Sequence, residues 1–92
     1  MSNTLYMFAK SFVNGRLSAD VFADAYIELW KIERDAGILR HDEDNVSEVL
    51  SSIFCVADMY VPDDDNRKEY EFDSKRLLDE VSQLINKLNL KQ

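Results

Sequence analysis

Between Asp58 and Asp73 the chain carries seven acids (Asp58, Asp63, Asp64, Asp65, Glu69, Glu71, Asp73) and two bases, Arg67 and Lys68. Carboxylates at that density can ligate a hard cation, act as general acid and base, or pair with the cations of a partner. A calcium loop counted from Asp63 needs glycine sixth, for its turn, and a bidentate glutamate twelfth. Those positions hold Lys68 and Ser74. The single histidine, His41, sits beside Asp42 and Glu43 with no second His or Cys near it, the pattern of a solvated loop rather than a metal centre. Cys55 has no histidine at a nucleophile–base spacing. Acid–base work by paired carboxyls needs one of them in an apolar cleft, and no stretch of this sequence builds one. No metal, no cofactor and no enzymatic activity are therefore expected. The acids point instead to a partner. Asp58, Tyr60, Asp63, Asp64, Asp65, Glu69, Tyr70 and Glu71 form the candidate partner-binding set, the tyrosines because large amphipathic rings amid charge anchor interfaces.

That set lies where no helix can continue. Pro62 lacks an amide hydrogen and biases Val61 away from the α region. Three successive aspartates repel one another and compete for backbone hydrogen bonds. One helix should end near Tyr60 and another begin near Asp73. Elsewhere apolar residues recur at helical spacing. Leu5, Phe8, Ala9 and Phe12 mark a first helix from Thr4 to Asn14, stopped by Asn14-Gly15. Ser18 caps a second, with Asp20 in its first turn. Its stripe is Phe22, Ala25, Tyr26 and Leu29, its edges Trp30 and Ile32, and its end Gly37.

The segment Ile38 to Asp44 reads as a loop, and Asn45 with Glu48 as a capping box. A third helix, Val46 to Tyr60, has Val46, Val49, Leu50, Ile53, Ala57 and Tyr60 on its main face, widened by Phe54 and Val56, and should be the most buried of the four. Asp58 falls on its polar flank with Ser47 and Ser51. A fourth, capped by Asp73 or Ser74, presents Leu77, Val81, Leu84, Ile85 and Leu88. Short connections imply antiparallel neighbours. The expected fold class is all-α, an antiparallel up-and-down four-helix bundle forming a single domain over residues 1–92. Phe72 should close its end, and Arg67 and Lys68 should hold the acidic link by pairing with Asp63 to Asp65 or with Glu71.

Eighteen acids against eleven bases leave a net charge of −7. That argues against nucleic acid and anionic membrane as partners and suits a basic protein. No twenty-residue apolar run is present, and no basic segment precedes an apolar stretch at the N-terminus. One cysteine forms no internal disulfide, so the expected location is the cytoplasm.

The residues at 60–67, Tyr-Val-Pro-Asp-Asp-Asp-Asn-Arg, followed by Tyr70-Glu71-Phe72-Asp73, Leu77 and Glu80-Val81, resemble the colicin D immunity protein family. Ala9-Lys10, Phe12, Leu17-Ser18 and Phe22 are similar to its first helical hairpin, so the likeness covers most of the chain, with 58–81 its specific part. Val61 departs from it, standing where an acid is common, and Asn66 resembles a one-residue insertion. The resemblance implies a small cytoplasmic four-helix protein that covers the active site of a basic, tRNA-cleaving nuclease domain of a bacteriocin or contact-dependent inhibition toxin. It implies a monomer that forms a 1:1 heterodimer with the toxin. Asp58, Asp63 and Asp65 match acids of the family motif, and Arg67 its arginine. Two other readings use the same residues differently: an acidic helical adaptor binding a basic segment of another protein, or a bundle that self-associates through the apolar breadth of its third helix.

Overall fold

The computed structural model describes residues 3–41 and 44–91, and its element boundaries follow from local chemistry. α1 (Asn3–Val13) ends where the Arg16 amide donates to the Ser11 carbonyl and the Gly15 amide to that of Phe12. This closing pattern needs a left-handed residue, and Gly15 supplies it at φ +84° with no Cβ penalty. α2 (Ala19–Asp35) begins at Ser18, whose hydroxyl accepts from the Val21 amide at 3.2 Å. Its last turn is followed by Gly37 at φ +78°. A 3₁₀ turn, Ile38–His41, then occupies part of the segment the sequence presents as plain loop.

α3 (Asp44–Asp58) starts earlier than its apolar pattern implies. Asn45 lies inside the first turn and so does not cap the helix with Glu48. The position before Asp44 falls in residues 42–43, outside the described residues, as do Asp42 and Glu43 of the acidic loop beside His41. α4 (Ser74–Lys91) is capped by Asp73, whose carboxylate accepts the Arg76 amide at 2.8 Å.

The helices close a ring: α1 packs on α2 and α4, α2 on α3, and α3 on α4. This is the expected all-α four-helix bundle. Its core is made by Leu5, Ala9 and Phe12 of α1, Phe22 and Tyr26 of α2, Leu50, Ile53 and Ala57 of α3, and Leu77, Val81, Ile85 and Leu88 of α4. Phe12 stacks on Phe22 with ring centroids 4.3 Å apart, and Phe22 meets Tyr26 at a 40° tilt with centroids 5.3 Å apart. The Tyr26 hydroxyl, buried in that cluster, donates to the Leu50 carbonyl at 2.8 Å. Burial, with the charge of Glu33 adding to it, raises the pKa of Tyr26 well above the ordinary tyrosine value.

The buried face of α2 is rotated from the expected stripe. Ala23 and Glu33 are buried, Ala25 and Leu29 half-buried, and Ile32 is 61% exposed rather than edging the core. Ile32 lies six residues beyond Tyr26, about 120° round the helix, so no neighbour in the ring reaches it.

Tyr26→Phe removes one buried hydrogen bond and only the volume of the hydroxyl, and should cost about 1 kcal/mol. Tyr26→Ala, which also removes a ring from the aromatic cluster, should cost about 3–5 kcal/mol. Urea unfolding followed by helical circular dichroism measures both, and a Phe variant as stable as wild type would show that the hydroxyl contributes nothing.

Candidate functional site

The acidic link leaves the bundle and re-enters it at nearly one place. The Phe72 amide donates to the Met59 carbonyl at 2.8 Å, and the Val61 amide donates to the Phe72 carbonyl at 3.0 Å. Together they form a single parallel bridge between Tyr60 and Phe72. Phe72 is buried, as its apolar character implies, with the Arg76 guanidinium 4.4 Å from its ring centroid. Residues 62–71 therefore form a loop of the Ω type, with adjacent ends and an irregular interior.

Arg67 braces that interior. Its Nε donates to the Val61 carbonyl at 2.9 Å, its Nη1 to Asp64 at 2.6 Å, and its Nη2 to the Pro62 carbonyl at 3.4 Å. Asp64 is 87% exposed on its side chain, whereas Arg67 is only 18% exposed. The ion pair itself is thus a surface pair worth about 0–1 kcal/mol; the two carbonyl contacts do the bracing. Asp63 makes the turn: its carboxylate accepts the Asp65 amide at 3.0 Å and the Asn66 side-chain amide at 2.6 Å. Asn66, the apparent insertion, completes that turn. Glu71 accepts the Lys68 backbone amide at 2.9 Å, so Lys68 meets it through the main chain, while its ammonium lies 5.9 Å from the Tyr70 ring centroid.

The eight candidate residues accordingly divide. Asp63, Asp64 and Glu71 spend their carboxylates inside the loop. Asp65 and Glu69 are exposed, and among the described residues neither side chain has a hydrogen-bond or ion-pair partner. Tyr70 is 62% exposed. Asp58 and Tyr60 belong to a different feature. With Pro62 and Ala57 they line a groove of about 390 Å³ whose other wall is Asp20, Ala23, Asp24 and Ile27 of α2. The Tyr60 hydroxyl donates to the Asp20 carboxylate at 2.5 Å. Burial, reinforced by that acceptor, pushes the Tyr60 pKa up to about 12.

Asp20 and Asp24 are absent from the candidate set. A signal for them exists, since a spacing of four puts both on one face of α2. Local pattern does not say which face meets the end of α3. Cys55 is exposed on α3. Among the described residues no group of His, Cys, Asp and Glu is placed to hold a metal ion, and no helix is long and apolar enough to cross a membrane.

A family model described as bacterial self-protective colicin-like immunity matches residues 1–88. No curated protein matches the chain.

The loop brace and the Tyr60 contact each carry a test. Arg67→Lys keeps the charge but loses the planar fork. It should cost about 1 kcal/mol and raise backbone mobility over residues 62–68, read by NMR relaxation; unchanged mobility would remove Arg67 from its bracing role. Tyr60 ionises near 12 in the folded chain and near ~10 when unfolded, so the folded state holds the proton more tightly. Its contribution to stability is complete below about pH 10 and lost as pH rises through the folded value. The urea-midpoint difference between wild type and Tyr60→Phe should stay constant to about pH 9 and shrink above it; a pH-independent difference would contradict the contact.

Proposed function

The chain belongs to the bacterial colicin-like immunity family, and from that membership we propose that it binds and inhibits a tRNA-cleaving toxin of the colicin D or contact-dependent inhibition kind. The whole chain acts as one immunity domain in the bacterial cytoplasm, monomeric alone and 1:1 with the toxin's C-terminal nuclease domain. It performs no chemistry of its own. Its acidic surface occludes the toxin's basic active site by standing in for the phosphates of the substrate.

The observation that carries this reading is a braced loop presenting Asp65 and Glu69 without internal partners, on a chain of net charge −7. A site that cleaves RNA holds phosphates with lysine, arginine and histidine, the same groups that stabilise charge and move protons during cleavage. Carboxylates held at those positions form charge-assisted hydrogen bonds with the cations, bidentate where the partner is arginine. The mimicry is electrostatic: carboxylates replace phosphates and offer no bond to cleave. Tyr70 supplies exposed aromatic area beside them, the kind of side chain that concentrates binding energy. Asp63, Asp64 and Glu71 keep their charge while holding the loop, so they add to the field that steers encounter toward roughly 10⁸ M⁻¹s⁻¹ at low salt. Val61 stands where an acid is common in the family pattern it resembles, which fits a toxin with one cation fewer, or differently placed, than that of colicin D.

Asp65→Lys combined with Glu69→Lys is the direct test, because neither carboxylate holds the loop. Against the purified nuclease domain encoded beside this chain, the double variant should bind about a hundredfold more weakly or worse and lose protection, with helicity intact. Wild-type affinity in that variant would place the interface elsewhere. Raising ionic strength from low to physiological should slow association more than it speeds dissociation; a salt-independent association rate would rule out steering.

A further inference from the structure

The groove between α2 and the end of α3 meets the loop only through Tyr60 and Pro62, and none of its acids braces the loop; two features of those acids run against local preference. Asp20 and Asp24 stand four residues apart on α2, a like-charge spacing that disfavours a helix. Asp58 is the last residue of α3, where the negative end of the macrodipole disfavours an acid. Among the described residues no lysine or arginine lines the groove. Only Asp20 of the three has a side-chain partner among the described residues, the Tyr60 hydroxyl.

Between the acids the surface is small and apolar: Ala23, Ile27 and Ala57. A volume of about 390 Å³ is within the range of small-molecule clefts, roughly 300–1,000 Å³. Such clefts, however, are walled by apolar and aromatic side chains with few polar groups. Here three of the eight lining residues are carboxylates. An apolar floor under a ring of acids fits an amphipathic cation, whose stem covers the floor while its head meets the charge.

We infer that this groove receives one cationic side chain of the toxin domain, an arginine or a lysine. Its aliphatic stem lies on Ala23, Ile27 and Ala57, and its head among Asp20, Asp24 and Asp58. The inference rests on the immunity reading and extends that interface from the loop onto the flank of α2. Pro62 lines the groove and also opens the loop, so one partner surface spans both. Because Asp20 and Asp24 lie far from the loop in sequence, the groove can select a toxin independently of the loop's own charges.

The test is Asp24→Asn with Asp58→Asn in the full chain, titrated with the purified toxin domain beside the Asp65→Lys, Glu69→Lys variant. The dissociation constant should rise about tenfold or more, mainly through faster release. The urea midpoint of the free chain should hold or rise, since like-charge repulsion is relieved. Combining Asp24→Lys with glutamate replacements of each toxin arginine and lysine should then restore affinity at one position, the occupant. Wild-type affinity in the asparagine variant, with the loop variant weakened, overturns the groove and leaves the loop reading standing. Wild-type affinity in both variants overturns both. A urea midpoint that falls together with affinity assigns the groove acids to folding and overturns the inference.

Discussion

Everything in the acidic region depends on two backbone hydrogen bonds made by Phe72, from its amide to Met59 and to its carbonyl from Val61. Residues 62–71 carry five acids and two bases. Untied, such a segment would expand under its own repulsion, and ordering it on binding would cost about 1–2 kcal/mol per residue of backbone alone. The bridge holds both ends together, the buried Phe72 ring fixes the bridge to the core, and Arg67 spans the interior. A loop ordered before encounter brings its carboxylates to a partner without that entropic loss. Folding, rather than binding, bears the cost.

The same bonds divide the acids by task. Asp73 caps α4, Asp63 makes a turn, Asp64 meets Arg67, Glu71 holds the Lys68 amide, and Asp20 meets Tyr60. Asp24, Asp58, Asp65 and Glu69 have no such duty among the described residues. A run of carboxylates is thus a poor map of a binding surface when read from charge alone, because several are needed to keep the run in one shape. Asp63 shows the point most clearly. The family resemblance implies a contact there, yet both of its oxygens accept from within the loop, so replacing it would disturb the loop and the surface together.

What the sequence discloses is what local chemistry decides. The stops at Gly15 and Gly37, the caps at Ser18 and Asp73, the break at Pro62 and the apolar rows of α1, α3 and α4 depend on neighbours within a turn or two, and each lies where its chemistry implies. Less legible is whatever depends on how helices meet. The rotation of α2 that buries Ala23 and exposes Ile32 is set by ring closure, not by the hydrophobicity of either residue. The early start of α3 reflects polar residues, Asp44 and Asn45, that helical periodicity in apolar positions cannot register. The groove joins residues some forty positions apart, and each of its acids has a sufficient local explanation or none: Asp20 as a dipole partner, Asp58 as a polar flank, Asp24 as an ordinary surface charge.

Tyr60 joins these features into one body. Its backbone lies in the bridge that closes the loop, its ring packs against the core, and its hydroxyl reaches Asp20 on α2. Tyr60 thus touches α2, the end of α3 and the loop at once, and adds to the core contacts that already hold α2 on α3. A partner that engages both loop and groove meets two patches with a set separation, and a cation array of different spacing satisfies one patch only at the expense of the other. Under the proposed reading, separation, more than total charge, is the quantity on which discrimination between similar basic partners turns, because any strongly acidic surface attracts all of them. The local costs at Asp24 and Asp58 are small, about 0.3–1 kcal/mol each by helix electrostatics, and a bundle with a continuous apolar core can carry them.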